Sequence, residues 1–409
     1  MGEAVLLVHN RYRERGGEDR AVETERRLLE RFGHRVIDYE RSNDEIAAMS
    51  RGRLALRTVW SVADHDRVGR LVRQERVAVA HFHNTFPLIS PAAHYAARRS
   101  GAAVVQTLHN FRLLCPNALF LRNGRPCEDC LGRAVPWPAV LHRCYRGSVA
   151  ATGALTGMLV THRLIGTWHA QVDAFIALSR FARDRFAAGG LPADRLHVRG
   201  AALDLELTAT TADRAAVQPA RRTFLYVGRL AAEKGIDILL EAWQRLDGDI
   251  ALNIVGDGPL AGAVRVAAAA DRRIEWLGAQ PQDIILERMR TAWALIFPSI
   301  CYENAPVVLA EAQLAGLPVI ASDLGSGAEV VRDGGFGVLV EAGNATALAG
   351  AVARMHTADA DRAAFAARAY TSYHTNLAPE SCYASLRRIY DHALQRRNAA
   401  AAAGADVRS

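Results

Sequence analysis

Apolar residues gather in short runs, at 4–8, 78–82, 103–108 and 174–178 in the first half of the chain and at 223–227, 250–255, 293–297 and 318–321 in the second. Runs of this length between Gly, Pro, Asp and Asn predict strands buried on both faces. Between them the apolar period lengthens towards that of a helix, as in Arg26–Phe32, which stops at Gly33. Strand and helix in alternation predict an α/β fold built on parallel sheets. The segment 204–222 carries Thr-Ala-Thr-Thr-Ala and no sustained apolar period, so it reads as a linker between an N-terminal domain, 1–203, and a C-terminal domain, 223–375. Tyr383, Leu386, Ile389, Tyr390 and Leu394 recur at helical spacing within 376–398, and the alanine-rich tail 399–409 is expected to fray.

Length agrees with this division. A chain of 409 residues exceeds what one core usually serves, and 50% hydrophobic residues suffice for two. The formal net charge is +7, with 50 basic and 43 acidic residues mixed along the chain. No helix-turn-helix spacing or aromatic RNA-binding signature accompanies that excess, which argues against nucleic acid and suits phosphorylated ligands or an anionic membrane surface. Met1-Gly-Glu runs straight into Ala4–Val8, without the basic region and longer apolar core of a secretory signal, so a cytoplasmic protein is expected. The least polar later stretch, Val149 to Val160, is too short to span a bilayer. Trp137, Val140 and Leu141 beside Arg143 and Arg146 are candidates for peripheral contact with the inner membrane face; a packed subdomain with a basic rim is the alternative.

Candidate chemistry concentrates in Pro298-Ser-Ile-Cys-Tyr-Glu303-Asn-Ala-Pro306-Val-Val-Leu-Ala-Glu311. A buried strand precedes it, and Pro306 fits the first helical position, where a missing N–H costs nothing. The amides of Asn304 and Ala305 should then face an anion, because a helix N-terminus joins orphan N–H donors to the positive end of the macrodipole. Glu303 lies in the loop and Glu311 within the helix. Upstream, Arg229 follows a strand and a glycine, where its fork can grip two phosphate oxygens, and Lys234 adds a point charge from the next loop.

The run resembles the E-x7-E signature of the retaining glycosyltransferases of family four, whose GT-B fold sets two Rossmann-like domains with parallel sheets facing a central cleft. Further landmarks extend the resemblance over most of the chain: Tyr226-Val-Gly-Arg229 to Lys234-Gly235, Ala315-Gly316 to Ala321, His9-Asn10 with Gly16-Gly17-Glu18, His83-Asn84-Thr-Phe-Pro87, and Thr107-Leu-His109-Asn110. The resemblance implies that His109 and Glu303 serve the reacting sugar. Gly16, Gly17, Arg229, Lys234, Asn304 and Ala305 would hold the donor diphosphate, Glu311 the ribose, and Leu277, Gly278, Ala279 and Gln280 the nucleobase. It further implies a terminal helix crossing back to the N-terminal domain, no cofactor required for catalysis, and transfer of a hexose-type sugar from a nucleoside-diphosphate-sugar to a hydroxyl of a saccharide or lipid-linked saccharide in surface polysaccharide synthesis. Where the family commonly has Gly and a bulky residue after the first Glu, this chain has Asn304-Ala305, which leaves the sugar open. A GT-B nucleotide-sugar epimerase and a non-catalytic nucleotide-binding subunit of a glycan synthase are the rivals.

Cys115, Cys127, Cys130 and Cys144 form C-x11-C-x2-C-x13-C inside an expected insertion at about 111–150. Four thiolates around a C-x2-C pair suit a structural zinc; an iron–sulfur cluster and ordinary thiols are the alternatives. Asp64-His-Asp66 has the form of a metal-binding D-x-D but sits in a helical pattern, and we read it as structural.

Overall fold

The computed structural model describes residues 2–13, 16–203 and 222–406, and it divides into two compact units. The expected linker therefore lies outside the described residues, Arg222 excepted. The first unit comprises 1–119, 128–202 and 379–409, and the second 120–127 and 203–378, each within the described limits.

The first unit opens with β1 (Ala4–Arg11), β2 (Arg35–Ser42), β3 (Val79–Asn84) and β4 (Ala103–Leu108); a two-stranded hairpin, β5 (Leu121–Arg122) with β6 (Arg125–Pro126), comes next in the chain but groups with the second unit. The chain then adds β7 (Ala174–Ala177) and β8 (Leu196–Val198). The sheet order is β2-β1-β3-β4-β7-β8 and every pair is parallel. β3, β4 and β7 are buried at every position, as central strands of a parallel sheet covered on both faces are, and β3 and β4 bury the polar side chains His81, His83, Asn84, Gln106 and Thr107 among their apolar ones. Helix Pro379–Asp406 covers one face of this sheet, where Leu386, Ile389, Tyr390 and Ala393 join Val5, Leu7, Val105 and Ile176 in one core. Tyr383 stacks on Phe32 with ring centroids 3.9 Å apart. The helix runs on through the alanines after 398, which have the highest helix propensity, to Asp406; the rest of the tail lies outside the described residues.

The second unit holds β9 (Thr223–Val227), β10 (Ala251–Val255), β11 (Ile274–Gly278), β12 (Ala294–Phe297), β13 (Val319–Ser322) and β14 (Gly337–Val340). Their order is β11-β10-β9-β12-β13-β14, again all parallel. Successive residues feed opposite faces: Phe224 and Tyr226 join one core and Leu225 the other. This is the doubly wound order, with helices on both faces and a reversal of winding between β9 and β12. Phe120 and the β5–β6 hairpin group with this unit, so the expected insertion is divided: Phe120 packs edge-on to Tyr302 at 5.9 Å.

Candidate nucleotide-sugar site

In an open parallel sheet, ligands bind outside the carboxyl ends of the strands where the winding reverses. In the second unit that point lies between β9 and β12, and the loops leaving those strands carry Arg229, Lys234 and Glu303. Three contacts lock the loops together. Gly235 has a left-handed backbone, and a Cβ there would stand 2.0 Å from the Pro298 carbonyl oxygen. The Ile300 amide donates to the Glu233 carbonyl at 3.0 Å. The Lys234 ammonium donates to the Glu303 carboxylate, which also accepts from Ser299 Oγ at 2.7 Å.

Burial opposes the charge on Lys234, but the Glu303 carboxylate outweighs it and raises the ammonium above its ordinary value. The neighbouring Cys301 thiol is pushed up to about 12 by burial and by Glu303, so it stays protonated. Arg229 is 63% exposed, its guanidinium 3.7 Å from Glu233 and otherwise open to an incoming anion. The glycines of the adjoining turns let backbone pack on backbone: a Cβ at Gly256 would stand 1.9 Å from the Gly228 carbonyl oxygen. Hydrogen bonds continue the chain from Gly228 to Val255 and from Gly256 to Gly278.

Helix Val307–Leu314 follows, with Pro306 as its N-cap and not its first residue; a ψ of 96° keeps the proline extended. Asn304 is buried and Ala305 half-buried ahead of it. Glu311 is buried on this helix and accepts a hydrogen bond from the side-chain amide of Gln282. Gln282 opens the helix after Leu277-Gly278-Ala279-Gln280, where Gln280 Nε2 closes the turn on the Leu277 carbonyl at 2.6 Å. The structure thus ties the 277–280 turn to Glu311, and Lys234 to Glu303. Gln282 and Ser299 were missed as partners; their position beside quoted motifs was the available signal.

In the first unit the winding reverses between β1 and β3. His9, at the end of β1, bonds through Nε2 to Asp19 at 2.8 Å, and Asp19 also accepts from the Gly16 amide at 2.8 Å. Burial would raise the Asp19 carboxyl, but His9 and that amide hold it below the usual range. Gly17 begins helix Gly17–Arg31, with open space where a side chain would stand. His83 Nδ1 and His109 Nε2 lie 2.8 Å apart, so one ring donates to the other. Burial lowers both, His83 strongly. His81, by contrast, is spent within the core on Tyr390 and Thr107, each at 2.8 Å. Asp64 is buried and held by Ser61, Tyr39 and Arg57, as a structural acid should be.

Cys115 and Cys130 are buried, Cys127 and Cys144 half-buried. Among the described residues no three His, Cys, Asp or Glu side chains are grouped so as to hold a metal ion. Cys130 Sγ faces the Pro136 carbonyl at 3.9 Å, and the Cys127 amide is tied to Phe120. The zinc expectation therefore rests on the spacing alone and not on the arrangement, and elemental analysis of the purified chain decides it.

Comparison with known proteins matches residues 15–207 to the model of "Glycosyltransferase Family 4" and residues 221–358 to that of "Glycosyl transferases group 1". A phosphatidyl-myo-inositol mannosyltransferase of Mycobacterium leprae is 31% identical over 207 residues, 50% of this chain and 54% of the relative. The amylovoran biosynthesis glycosyltransferase AmsK of Erwinia amylovora is 29% identical over 203 residues, 47% and 49% of the two chains. These matches span about half the length of the curated relatives. Among solved structures, Anabaena Alr3699/HepE in complex with UDP superposes with a TM-score of 0.63 at 16% identity, covering 95% of this chain and 99% of that one. With both family models matched in order and two parallel-sheet units of this topology, the chain belongs to glycosyltransferase family four and has its GT-B fold.

Proposed function

We propose that this protein is a retaining glycosyltransferase that moves a hexose-type sugar from a nucleoside-diphosphate-sugar to a hydroxyl of a saccharide or lipid-linked saccharide in surface polysaccharide synthesis. The observation that carries the reading is the clasp between Lys234 and Glu303 at the winding reversal, with Arg229 exposed beside it. Breaking a sugar–phosphate bond builds negative charge on the departing diphosphate, and fixed cations aimed there lower the barrier. Lys234 and Arg229 would carry that charge, Glu303 would hold the donor sugar's hydroxyls, and Glu311 the ribose. The acceptor's proton passes to the departing phosphate. His109, oriented by His83, would serve the reacting sugar. Support for the donor class comes from HepE, whose structure is also known with UDP-glucose, and for the pathway from AmsK.

The test is a thermal-shift screen of nucleoside diphosphates and their sugars, followed by transfer assays with the donor that stabilises the protein. Stabilisation by one donor, lost in Lys234→Ala together with about 10²–10³-fold in turnover, is the expected result. An epimerised donor formed without an acceptor identifies an epimerase, and no stabilisation by any nucleotide overturns the reading. The anomeric configuration of the product reports on retention.

A further inference from the structure

Of the thirteen large hydrophobic side chains exposed among the described residues, nine lie in two stretches of the first unit, 56–62 and 135–165. Those stretches fold together. Helix Arg51–Val59 and the short helix Trp137–Leu141 both pack on helix Val149–Leu164. His162 Nε2 bonds to the Val59 carbonyl at 2.7 Å, the Trp60 and His162 rings stack at 6.0 Å, and Arg163 donates to the carbonyls of Arg133 and Ala134. These contacts gather Leu56, Trp60 and Val62 with Val135 and Trp137 around the end of the long helix, where Leu164 is 81% exposed. Leu141, 65% exposed, and Val149 extend the surface along the helix. Scattered apolar side chains are normal on a soluble surface, whereas this concentration marks an interaction site.

Its charge is one-sided. Positions 46–63 and 131–172 hold seven arginines and no Asp or Glu, where the chain's average would place about six acids. Arg57 is engaged by Asp64 and Arg163 by backbone carbonyls, but Arg51, Arg53, Arg133, Arg143 and Arg146 are exposed. The Arg133 guanidinium lies over the Trp137 ring at 5.4 Å. Such a pair presents a ring to acyl chains and a cation to lipid phosphates. A second copy would bring arginines against the same arginines across a two-fold interface, which disfavours self-association. Among the described residues no helix is long and apolar enough to cross a membrane, so the surface can only lie on one.

We propose that this face docks on the surface of an anionic lipid bilayer. The inference does not depend on the donor-site reading, and its test uses the full chain without nucleotide. The protein is sedimented with vesicles of phosphatidylcholine alone or mixed with phosphatidylglycerol. Binding should require the anionic lipid and weaken as salt is raised. Arg143→Glu with Arg146→Glu should weaken it about 25-fold or more, since each basic group near such a surface contributes roughly fivefold. Leu141→Ser with Leu164→Ser should weaken it at unchanged charge, and both sites are exposed enough to leave the melting temperature alone. Binding to neither vesicle overturns the proposal. So does binding indifferent to the leucine changes, which would mean a surface for any polyanion such as an acidic protein, and so does a vesicle-free dimer that Leu164→Ser dissolves.

Discussion

Replacing Gly235 by alanine tests whether the close approach of two loops builds the donor site. The residue has φ +73°, and an added Cβ would meet the Pro298 carbonyl oxygen at 2.0 Å and its carbon at 2.8 Å. Ordinary contact begins near 3.4 Å, so the loops must part by about 1.4 Å. Gly248 is the matched control: its φ is +78°, and nothing lies within 4 Å of its added Cβ. Both variants meet the left-handed backbone penalty of roughly 1–2 kcal/mol, and only Gly235→Ala adds overpacking of about 1–3 kcal/mol. Urea unfolding followed by fluorescence should therefore place Gly235→Ala about 1–3 kcal/mol below Gly248→Ala. The displacement also carries Lys234 away from Glu303, and a shift of this size costs about 10²-fold in turnover. Gly248→Ala should turn over normally. Equal stability and equal turnover in the two variants would refute the idea that this contact sets the site.

Glu303 and Glu311 should fail differently when removed. Glu311→Ala should weaken a bare nucleoside diphosphate and the full donor alike, by roughly 1.5–3 kcal/mol in calorimetric titration, whereas Glu303→Ala should spare the bare nucleotide and lose turnover; equal losses for bare nucleotide count against the assignment. Glu303→Gln should also lower the Lys234 pKa, since the carboxylate that offsets burial is gone, and an unmoved alkaline limb of the rate profile would deny the coupling. Burial depresses His81 and His83 strongly and His94 to about 4, so the unfolded chain takes up protons at these sites first. Stability, fully present above about pH 6.5, should fall as pH drops towards 4, by up to roughly 1.4 kcal/mol per unit for each such histidine. Urea midpoints measured from pH 7.5 to 5 check this, His94→Gln should flatten the slope, and a flat wild-type profile refutes it.

The apolar runs alone located the central strands β1, β3, β4, β7, β9, β10, β12 and β13, because strands covered on both faces are mainly apolar, the histidines of β3 excepted. The edges β2, β8 and β14 escaped that reading, and β11 was legible only through the turn that ends it. Arg35–Ser42 shows the cause: an edge strand faces solvent along one side, so Arg35, Asp38, Glu40 and Arg41 interrupt its apolar positions. The residue types of the candidate site were equally legible, since cations after strand-end glycines and acids around a helix start announce themselves locally. Their partners were not. That Lys234 meets Glu303, Gln282 meets Glu311 and His83 meets His109 follows from the order in which parallel strands lie side by side, which no local pattern encodes. Sixty-nine positions separate Lys234 from Glu303, and only the adjacency of β9 and β12 closes that distance. Spacing of cysteines suggested a metal cage, but spacing counts ligands without fixing the backbone path between them; among the described residues no three such side chains are grouped to hold a metal ion, and the metal content of the purified chain decides the question.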